Sequence, residues 1–301
     1  DVTATRAYQE EAISENSTAF SITVKGLNGG HSGMDIIKGL GNANKIMNRL
    51  LFDGFTNFGL RISEINGGSL RNAIPREREA LVTLDAISKE AFLLETAVLI
   101  NTIKEEFSTI ESNLAIDIHE TTLPEKIMEL GVQEGLLKST YAAFNGVYRM
   151  SPDIADLVET SNNIARVIVK NGQIKIGCLT RSSSETNKLD LANSLTAAFE
   201  LSGFDVELSD EYPGWQPDIN SEILDIVSKL YENLNGEKAK VEACHAGLEC
   251  GILSQNYPEI DMVSFGPTIR GAHSPDERAG ILSTQKFWKF LVEILKNIPK
   301  K

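Results

Sequence analysis

Apolar and polar side chains alternate along residues 19–25, Ala19-Phe20-Ser21-Ile22-Thr23-Val24-Lys25. This alternation, together with the β-branched residues, predicts a half-buried strand that ends at Gly26. Apolar residues then recur at spacings of four and three, which predicts a helix that ends near Phe52. The residues on this helix face are Ile36, Leu40, Ala43, Met47 and Leu50.

The next elements complete a β-α-β-β-α-β order. Strands are predicted for residues 60–65 and 80–85, a second helix for residues 89–107 and a fourth strand for residues 114–118. This order is that of the split βαβ unit of ferredoxin-like domains.

A second unit with a similar order follows. Its predicted elements are a helix (125–140), two strands (156–170 and 173–179), a helix (185–201) and a strand (204–208). The two strands are joined by Asn171-Gly172, a dipeptide typical of hairpin turns. We therefore predict a mixed α/β fold whose main part is a doubled ferredoxin-like domain.

The last part of the chain has a different pattern. Helices are predicted for residues 221–234 and for a closing segment that contains Phe287 and Leu291, and β-like residues occur at 240–243 and 262–265. Alternating helices and strands predict an α/β layer. Two or three strands are too few for a complete doubly wound sheet. We therefore expect this segment to be part of a larger domain.

Composition excludes several classes of protein. The 301 residues carry a formal net charge of −13 and have no run rich in Lys or Arg, which argues against nucleic acid as a partner. No stretch approaches the roughly 18 consecutive apolar residues that a membrane span needs. The three cysteines are too few for a disulfide framework, so we expect a cytoplasmic protein.

Three polar positions are candidates for ligand binding. His31 lies in Gly29-Gly30-His31-Ser32-Gly33, where the glycines either let the backbone approach a ligand or form a plain turn. Asn72 could bind a peptide-like ligand or satisfy its own turn. Arg181 could hold a carboxylate with its guanidinium fork or lie on the surface. The residues alone leave these alternatives open.

Two later loops bounded by glycines, residues 244–251 and 266–277, follow β-like segments, where α/β sheets bind ligands. In these loops His273 is a candidate metal ligand and Glu249 a candidate substrate contact. The four histidines, of which we interpret His119 as a surface residue, do not by themselves specify a metal centre because none has HExxH spacing.

Taken together, these loops resemble those of the aminoacyl-histidine dipeptidases, a carnosinase-like branch of the di-zinc metallopeptidase family. The resemblance extends over nearly the whole chain. The stretches that carry it are Lys25-Gly26-Leu27, Gly29-Gly30-His31-Ser32-Gly33, Gly41-Asn42-Ala43-Asn44-Lys45, Asn66-Gly67-Gly68, Leu70-Arg71-Asn72-Ala73-Ile74-Pro75-Arg76-Glu77, Tyr212-Pro213-Gly214-Trp215-Gln216-Pro217-Asp218, His245-Ala246-Gly247-Leu248-Glu249-Cys250-Gly251, Tyr257-Pro258-Glu259 and His273-Ser274-Pro275-Asp276-Glu277.

The resemblance implies a division into domains. Residues 18–209 would form a lid and dimerisation domain, residues 210–301 the C-terminal part of a zinc-peptidase α/β catalytic domain, and residues 1–17 the end of a catalytic-domain segment or a linker. The family's N-terminal part, with most of the metal ligands, has no counterpart in this sequence. Because the chain begins with Asp1 and not with Met, we expect that it was trimmed from a longer product.

The resemblance also implies roles for the candidate residues. His31 would reach across a homodimer from the lid and stabilise the developing oxyanion, Asn72 would hold the substrate backbone, and Arg181 its terminal carboxylate. Glu249 would shape the substrate pocket, and His273 would be a ligand of one of two zinc ions, with cobalt or manganese as alternatives.

The predicted function is therefore hydrolysis of Xaa-His dipeptides, including carnosine-like ones, by a metal-activated water in a homodimer formed through the lid. Two alternatives stay open. One is another exopeptidase or an acyl-amino-acid hydrolase of the same family. The other is a non-catalytic lid and dimerisation fragment.

Overall fold

The computed structural model describes residues 1–68, 70–218, 220–243, 245, 248–270 and 277–297. Within them the helices are α1 (Ala43–Phe58), α2 (Lys89–Glu106), α3 (Leu130–Ala142), α4 (Glu185–Glu200), α5 (Glu222–Asn235), α6 (Glu249–Asn256) and α7 (Ile281–Asn297). The strands are β1 (Val2–Ala7), β2 (Glu10–Ala12), β3 (Ser17–Lys25), β4 (Gly30–His31), β5 (Arg61–Gly67), β6 (Ala73–Ile74), β7 (Arg78–Asp85), β8 (Ala115–Thr121), β9 (Lys126–Met128), β10 (Gly146–Met150), β11 (Val158–Lys170), β12 (Gln173–Ser182), β13 (Asp205–Leu208), β14 (Ile269–Arg270) and β15 (Arg278–Ala279).

These residues divide into two compact units. The first holds residues 1–214 together with His245, and the second holds the other described residues from 215 to 297. No helix in the described part of the chain is both long and apolar enough to cross a membrane.

The first unit is built on one antiparallel sheet. Its strand order among the described residues is β13-β1-β12-β11-β5-β7-β3-β8, with β10 also paired to β11. One half of the sheet consists of β3, β5, β7 and β8, which with α1 and α2 follow the chain order β-α-β-β-α-β. Across the sheet these strands lie in the order 4-1-3-2, as in ferredoxin-like domains, so the prediction of this unit is confirmed.

The other half repeats the same arrangement with an interrupted chain. Its strands β1, β11, β12 and β13 also lie in the order 4-1-3-2, and α3 and α4 are its helices. The first half is therefore inserted between the first strand and the first helix of the second half. That first strand, β1, lies within residues 1–17, the predicted end of a catalytic-domain segment or linker. It pairs with β12 and β13 on either side.

The two halves meet through equivalent elements. Strand β11 pairs with β5 at Val167 and Gly67, and α1 packs against α3. Lys45 of α1 donates hydrogen bonds from Nζ to the carbonyl oxygens of Thr140, Tyr141 and Ala143, at 2.9, 2.8 and 3.1 Å, which satisfies carbonyl groups at the C-terminal end of α3.

One hydrophobic core extends through both halves, between the sheet and helices α1–α4. At its first half Phe92 of α2 is fully buried, with its ring centroid 5.6 Å from that of Phe20 and 5.7 Å from that of Phe58. Burial of such aromatic side chains contributes strongly to the free energy of folding, because each removes a large apolar area from water.

Helix α1 begins later than the apolar periodicity predicts. Residues Ile36–Lys38 form a 3₁₀ turn that ends at Gly39, and α1 starts at Ala43. The side chain of Asn42 accepts hydrogen bonds from the backbone N–H groups of Asn44 and Lys45, so a capping residue sets the helix start.

The second unit is mainly helical. Helices α5 and α7 pack around Val227, Phe290 and Ile294. The β-like residues 240–243 and 262–265 form no strands, which differs from the sequence prediction. A strand is stable only when its backbone groups pair with a neighbour, and β-like composition supplies no such neighbour.

Candidate functional site

His31 and Asn72 lie side by side because two short strands pair. In β4 and β6, Gly30 pairs with Ile74 and His31 with Ala73. The backbone N–H of Ser32 donates a hydrogen bond of 2.8 Å to the carbonyl oxygen of Asn72. The two loops singled out in the sequence are thus joined into one structure.

Local hydrogen bonds fix the tautomer of His31. Its Nδ1 accepts from the backbone N–H groups of Gly33 and Met34, each at 3.1 Å, while its own backbone N–H donates to Asp35 Oδ2 at 2.8 Å. Because Nδ1 accepts two hydrogen bonds, the ring proton of neutral His31 is on Nε2. His31 can therefore act as a hydrogen-bond donor through Nε2.

Arg181 lies in the same corner of the first unit. It is on β12 directly opposite Ser161 of β11. A Cβ atom built on Gly33 would be 3.2 Å from the His31 ring and 3.3 Å from Arg181 Cδ, so both side chains lie against this glycine. One chain thus brings together an imidazole and a guanidinium that are far apart in its sequence.

His245 completes the group. Its Nε2 is 2.9 Å from Ser161 Oγ, and both residues are buried, with 7% and 1% of their surface exposed. Burial, together with electrostatic repulsion from Arg181 and His31, lowers the pKa of His245 from 6.5 to about 4. His245 is therefore neutral at pH 7.

A buried network of amide groups holds the loop that carries Asn72. Asn163 donates from Nδ2 to the carbonyl oxygen of Ala73 at 2.8 Å, and its Oδ1 accepts from Asn42 Nδ2 at 3.1 Å. Asn42 in turn caps α1. Helix α1, strand β11 and the Asn72 loop are thereby tied together, since leaving any of these buried polar groups unpaired would cost about 1–3 kcal/mol.

The other predicted site residues are Glu249 and His273. Glu249 is the exposed first residue of α6 and belongs to the second unit. His273 lies outside the described residues. His119 is exposed on β8, in agreement with its interpretation as a surface residue.

Sequence reasoning gave no role to Ser161, His245, Asn42 or Asn163. The sequence of β11 could have indicated two of these residues, because the predicted strand contains four successive polar residues, Thr160-Ser161-Asn162-Asn163. All four have at most 1% of their surface exposed. Buried polar residues in such a run need partners, and some of those partners here belong to the site.

Comparison with known proteins identifies the family of this chain. A model of the peptidase dimerisation domain matches residues 22–110, and a model of the peptidase family M20/M25/M40 matches residues 76–297. The chain is 38% identical over 305 residues to the cytosol non-specific dipeptidase of Escherichia coli (strain K12), covering 100% of this chain and 62% of that protein. The crystal structure of aminoacylhistidine dipeptidase from Vibrio alginolyticus superimposes with a TM-score of 0.92 at 38% identity, covering 100% of this chain and 61% of that one.

This chain thus spans about three fifths of the length of both relatives. The family model covers well over half of the chain, in agreement with the resemblance found in the sequence. The chain belongs to the peptidase family M20/M25/M40.

Proposed function

We propose that the complete protein is a metal-dependent dipeptidase of the cytoplasm that hydrolyses Xaa-His dipeptides, including carnosine-like ones. The observation that carries this proposal is the convergence of His31 and Arg181 on Gly33, with Asn72 held beside them. The names of the two relatives support a dipeptide as substrate, and that of the Vibrio alginolyticus protein, an aminoacylhistidine dipeptidase, supports a histidine at its C-terminus.

Each of these side chains has a chemical task in the proposal. The Arg181 guanidinium receives the terminal carboxylate of the substrate through paired hydrogen bonds, which restricts hydrolysis to a bond near the C-terminus. His31 donates from Nε2 to the carbonyl oxygen of the scissile bond, where negative charge develops in the transition state. Asn72 offers both a donor and an acceptor to the substrate backbone.

The resemblance to the di-zinc metallopeptidases adds two zinc ions to the proposal, with cobalt or manganese as alternatives. They would supply the activated water. In the described part of the chain no group of three or more His, Cys, Asp or Glu side chains could hold a metal ion. His273, the one proposed ligand in this sequence, lies outside the described residues, so the described residues do not by themselves fit a metal centre.

Two further roles complete the proposal. Glu249, at the start of α6, would shape the substrate pocket. A homodimer would form through the first unit, because the dimerisation-domain model matches residues 22–110 and α2, within that range, exposes 71% of Leu94 and 64% of Val98. These residues are four apart and lie on one face of the helix.

The name of the Escherichia coli relative favours a second candidate, a dipeptidase without preference for histidine. An acyl-amino-acid hydrolase and a non-catalytic lid and dimerisation fragment stay as further alternatives.

The test compares the 301-residue chain with the complete encoded polypeptide. We expect the complete polypeptide to release histidine from β-alanyl-histidine and alanyl-histidine, to lose activity with a chelator and to regain it with zinc, while the 301-residue chain is inactive. Alanyl-alanine is the control substrate. Equal turnover of alanyl-alanine would favour the non-specific dipeptidase, and turnover of no dipeptide would refute the proposal.

Variants of the complete polypeptide test the individual roles. His31→Ala should lower kcat by about a hundredfold or more, the usual effect of removing an oxyanion donor. A kcat within a few-fold of the wild type would remove His31 from the mechanism. His273→Ala should reduce the zinc content, and unchanged zinc content with unchanged turnover would contradict its role as a ligand.

A further inference from the structure

Ser161 and His245 form a hydrogen-bonded pair close to Arg181. The proposed mechanism gives this pair no role. Ser161 faces Arg181 across two paired strands, and side chains directly opposite in antiparallel strands lie on the same face of the sheet. His245 is bonded to Ser161 Oγ through Nε2. The positive charge of Arg181 is close enough to shift the pKa of His245.

The chemistry of His245 suits a position beside a guanidinium. A protonated imidazole there would repel Arg181, whereas a neutral one packs against it without that cost. His245 is held in the neutral form by burial, and its hydrogen bond to Ser161 fixes the ring. The stem of Arg181 therefore lies against Gly33, and Ser161, which is bonded to His245, lies opposite Arg181 on β11.

We propose that Ser161 and His245 are positioning residues that hold the Arg181 guanidinium in the orientation that receives the terminal carboxylate of the substrate. This inference rests on the proposed role of Arg181. An arginine side chain loses conformational entropy when it binds a ligand. Neighbouring side chains that restrict its rotamers before binding reduce this cost and so favour binding of the carboxylate.

A serine and a histidine at 2.9 Å also have the spacing of a nucleophile and its base. Burial argues against that role. Ser161 exposes 1% of its surface and lies inside a central strand, where a substrate carbonyl cannot reach its Oγ.

The first experiment measures the preference for a free carboxylate in the metal-loaded complete polypeptide, as the ratio of kcat/KM for alanyl-histidine to that for alanyl-histidinamide. Ser161→Ala and His245→Leu should each lower this ratio up to about tenfold, the effect of one lost hydrogen bond, mainly through KM. His245→Gln, which keeps a polar group near the position of Nε2, should restore most of it.

Thr160→Val is the matched control. Thr160 Oγ1 is 2.8 Å from Ser182 Oγ on the same two strands, one residue away, and both are buried. The variant thus loses a comparable buried hydrogen bond and should leave the ratio unchanged. If it lowers the ratio as much as Ser161→Ala, a general loss of packing explains the effect and the proposal is wrong.

A double-variant cycle tests whether the pair acts through Arg181. Arg181→Met should abolish the preference, and adding His245→Leu to Arg181→Met should change the ratio no further. A further drop in the double variant would overturn the proposal. If Arg181→Met alone keeps the preference, then the proposed role of Arg181 fails.

A second readout does not depend on turnover. NMR titration of ¹³C-labelled histidines in the 301-residue chain, which has only four, gives the pKa of His245 directly. Arg181→Met should raise this pKa because a nearby positive charge is removed, and Thr160→Val should not. An unchanged pKa in Arg181→Met would refute the inferred proximity whatever the enzyme's substrate is.

Discussion

At the level of single residues, Gly33 leaves little space between the backbone and the side chains of His31 and Arg181. A methyl group there would lie 3.2 Å from the His31 ring and 3.3 Å from Arg181 Cδ, closer than ordinary packing allows. We expect Gly33→Ala to displace both side chains and to lower kcat/KM of the complete polypeptide by about tenfold to a hundredfold, the usual cost of a small misplacement.

The free energy of unfolding should change little in Gly33→Ala, because the side chains that must move are only half-buried. Gly131→Ala is the control, since nothing lies within 4 Å of a Cβ atom at that position in α3. Its activity should equal that of the wild type. Unchanged kcat/KM in Gly33→Ala would mean that His31 and Arg181 do not act from the positions described above.

His245 should also make the first unit sensitive to acid. Its pKa is lowered from 6.5 to about 4 in the folded protein, so between these pH values the unfolded chain binds the proton and the folded chain does not. The stability contributed by neutral His245 is complete above pH 6.5 and is lost as the pH falls towards 4. The difference corresponds to about 3 kcal/mol at most.

Urea unfolding of the 301-residue chain between pH 7 and pH 4 measures this loss. Because the carboxylates also titrate, the informative quantity is the difference between the wild type and His245→Gln, which lacks the titrating ring. The wild type should lose more stability than the variant over this range. Parallel curves for the two proteins would show that His245 titrates normally.

The candidate site was only partly predictable at this level. His31, Asn72 and Arg181 stand at recognisable places, a glycine-rich turn, a polar loop and the end of a strand, and the structure brings them together. Ser161 could not be assigned from the sequence, because its partner His245 is far along the chain and a buried hydroxyl has no local signature.

At the level of elements, hydrophobic periodicity predicted most helices and strands but not where they begin. The apolar pattern predicts a helix from Ile36, but α1 starts at Ala43. Gly39 has a left-handed conformation that interrupts the helix, and the side chain of Asn42 caps the start of α1. The Asn171-Gly172 hairpin was predictable because positive φ values, 52° and 71°, are a property of these two residues and not of their surroundings.

The junction between the two halves of the sheet depends on one glycine after β5. Gly68 has a φ of 80°, and a Cβ atom there would lie 1.9 Å from the carbonyl oxygen of Ala165, at the irregular point of β11. Gly68→Ala should therefore force the backbone apart. We expect a loss of about 3 kcal/mol or more in the free energy of unfolding, from backbone strain together with a broken strand contact.

Gly59→Ala separates these two causes. Gly59 ends α1 with a φ of 65°, but nothing lies within 4 Å of a Cβ atom there. That variant should lose only about 1 kcal/mol, the cost of the left-handed conformation. Equal losses for the two variants in urea unfolding would mean that Gly68 does not approach β11 closely.

At the level of the whole molecule, the sequence predicted two similar units but not how they combine. Strand β1 pairs with β12 and β13, which follow more than a hundred residues later. Such pairing is set by the packing of the whole unit and leaves no trace in local periodicity. The same holds for the convergence of His31 and Arg181, one from each half of the doubled fold.

The proposed homodimer makes a prediction at the same level. Leu94 and Val98 form an apolar face on α2, exposed by 71% and 64%, inside the segment that matches the dimerisation domain. In a two-fold symmetric dimer each substitution occurs twice at the interface, so Leu94→Glu with Val98→Glu places four like charges against each other. We expect this double variant to sediment as a monomer at micromolar concentration where the wild type is a dimer. Leu201→Glu, at a residue 90% exposed after α4, is the control and should stay dimeric. A double variant that remains a dimer would show that the copies associate through another surface than α2.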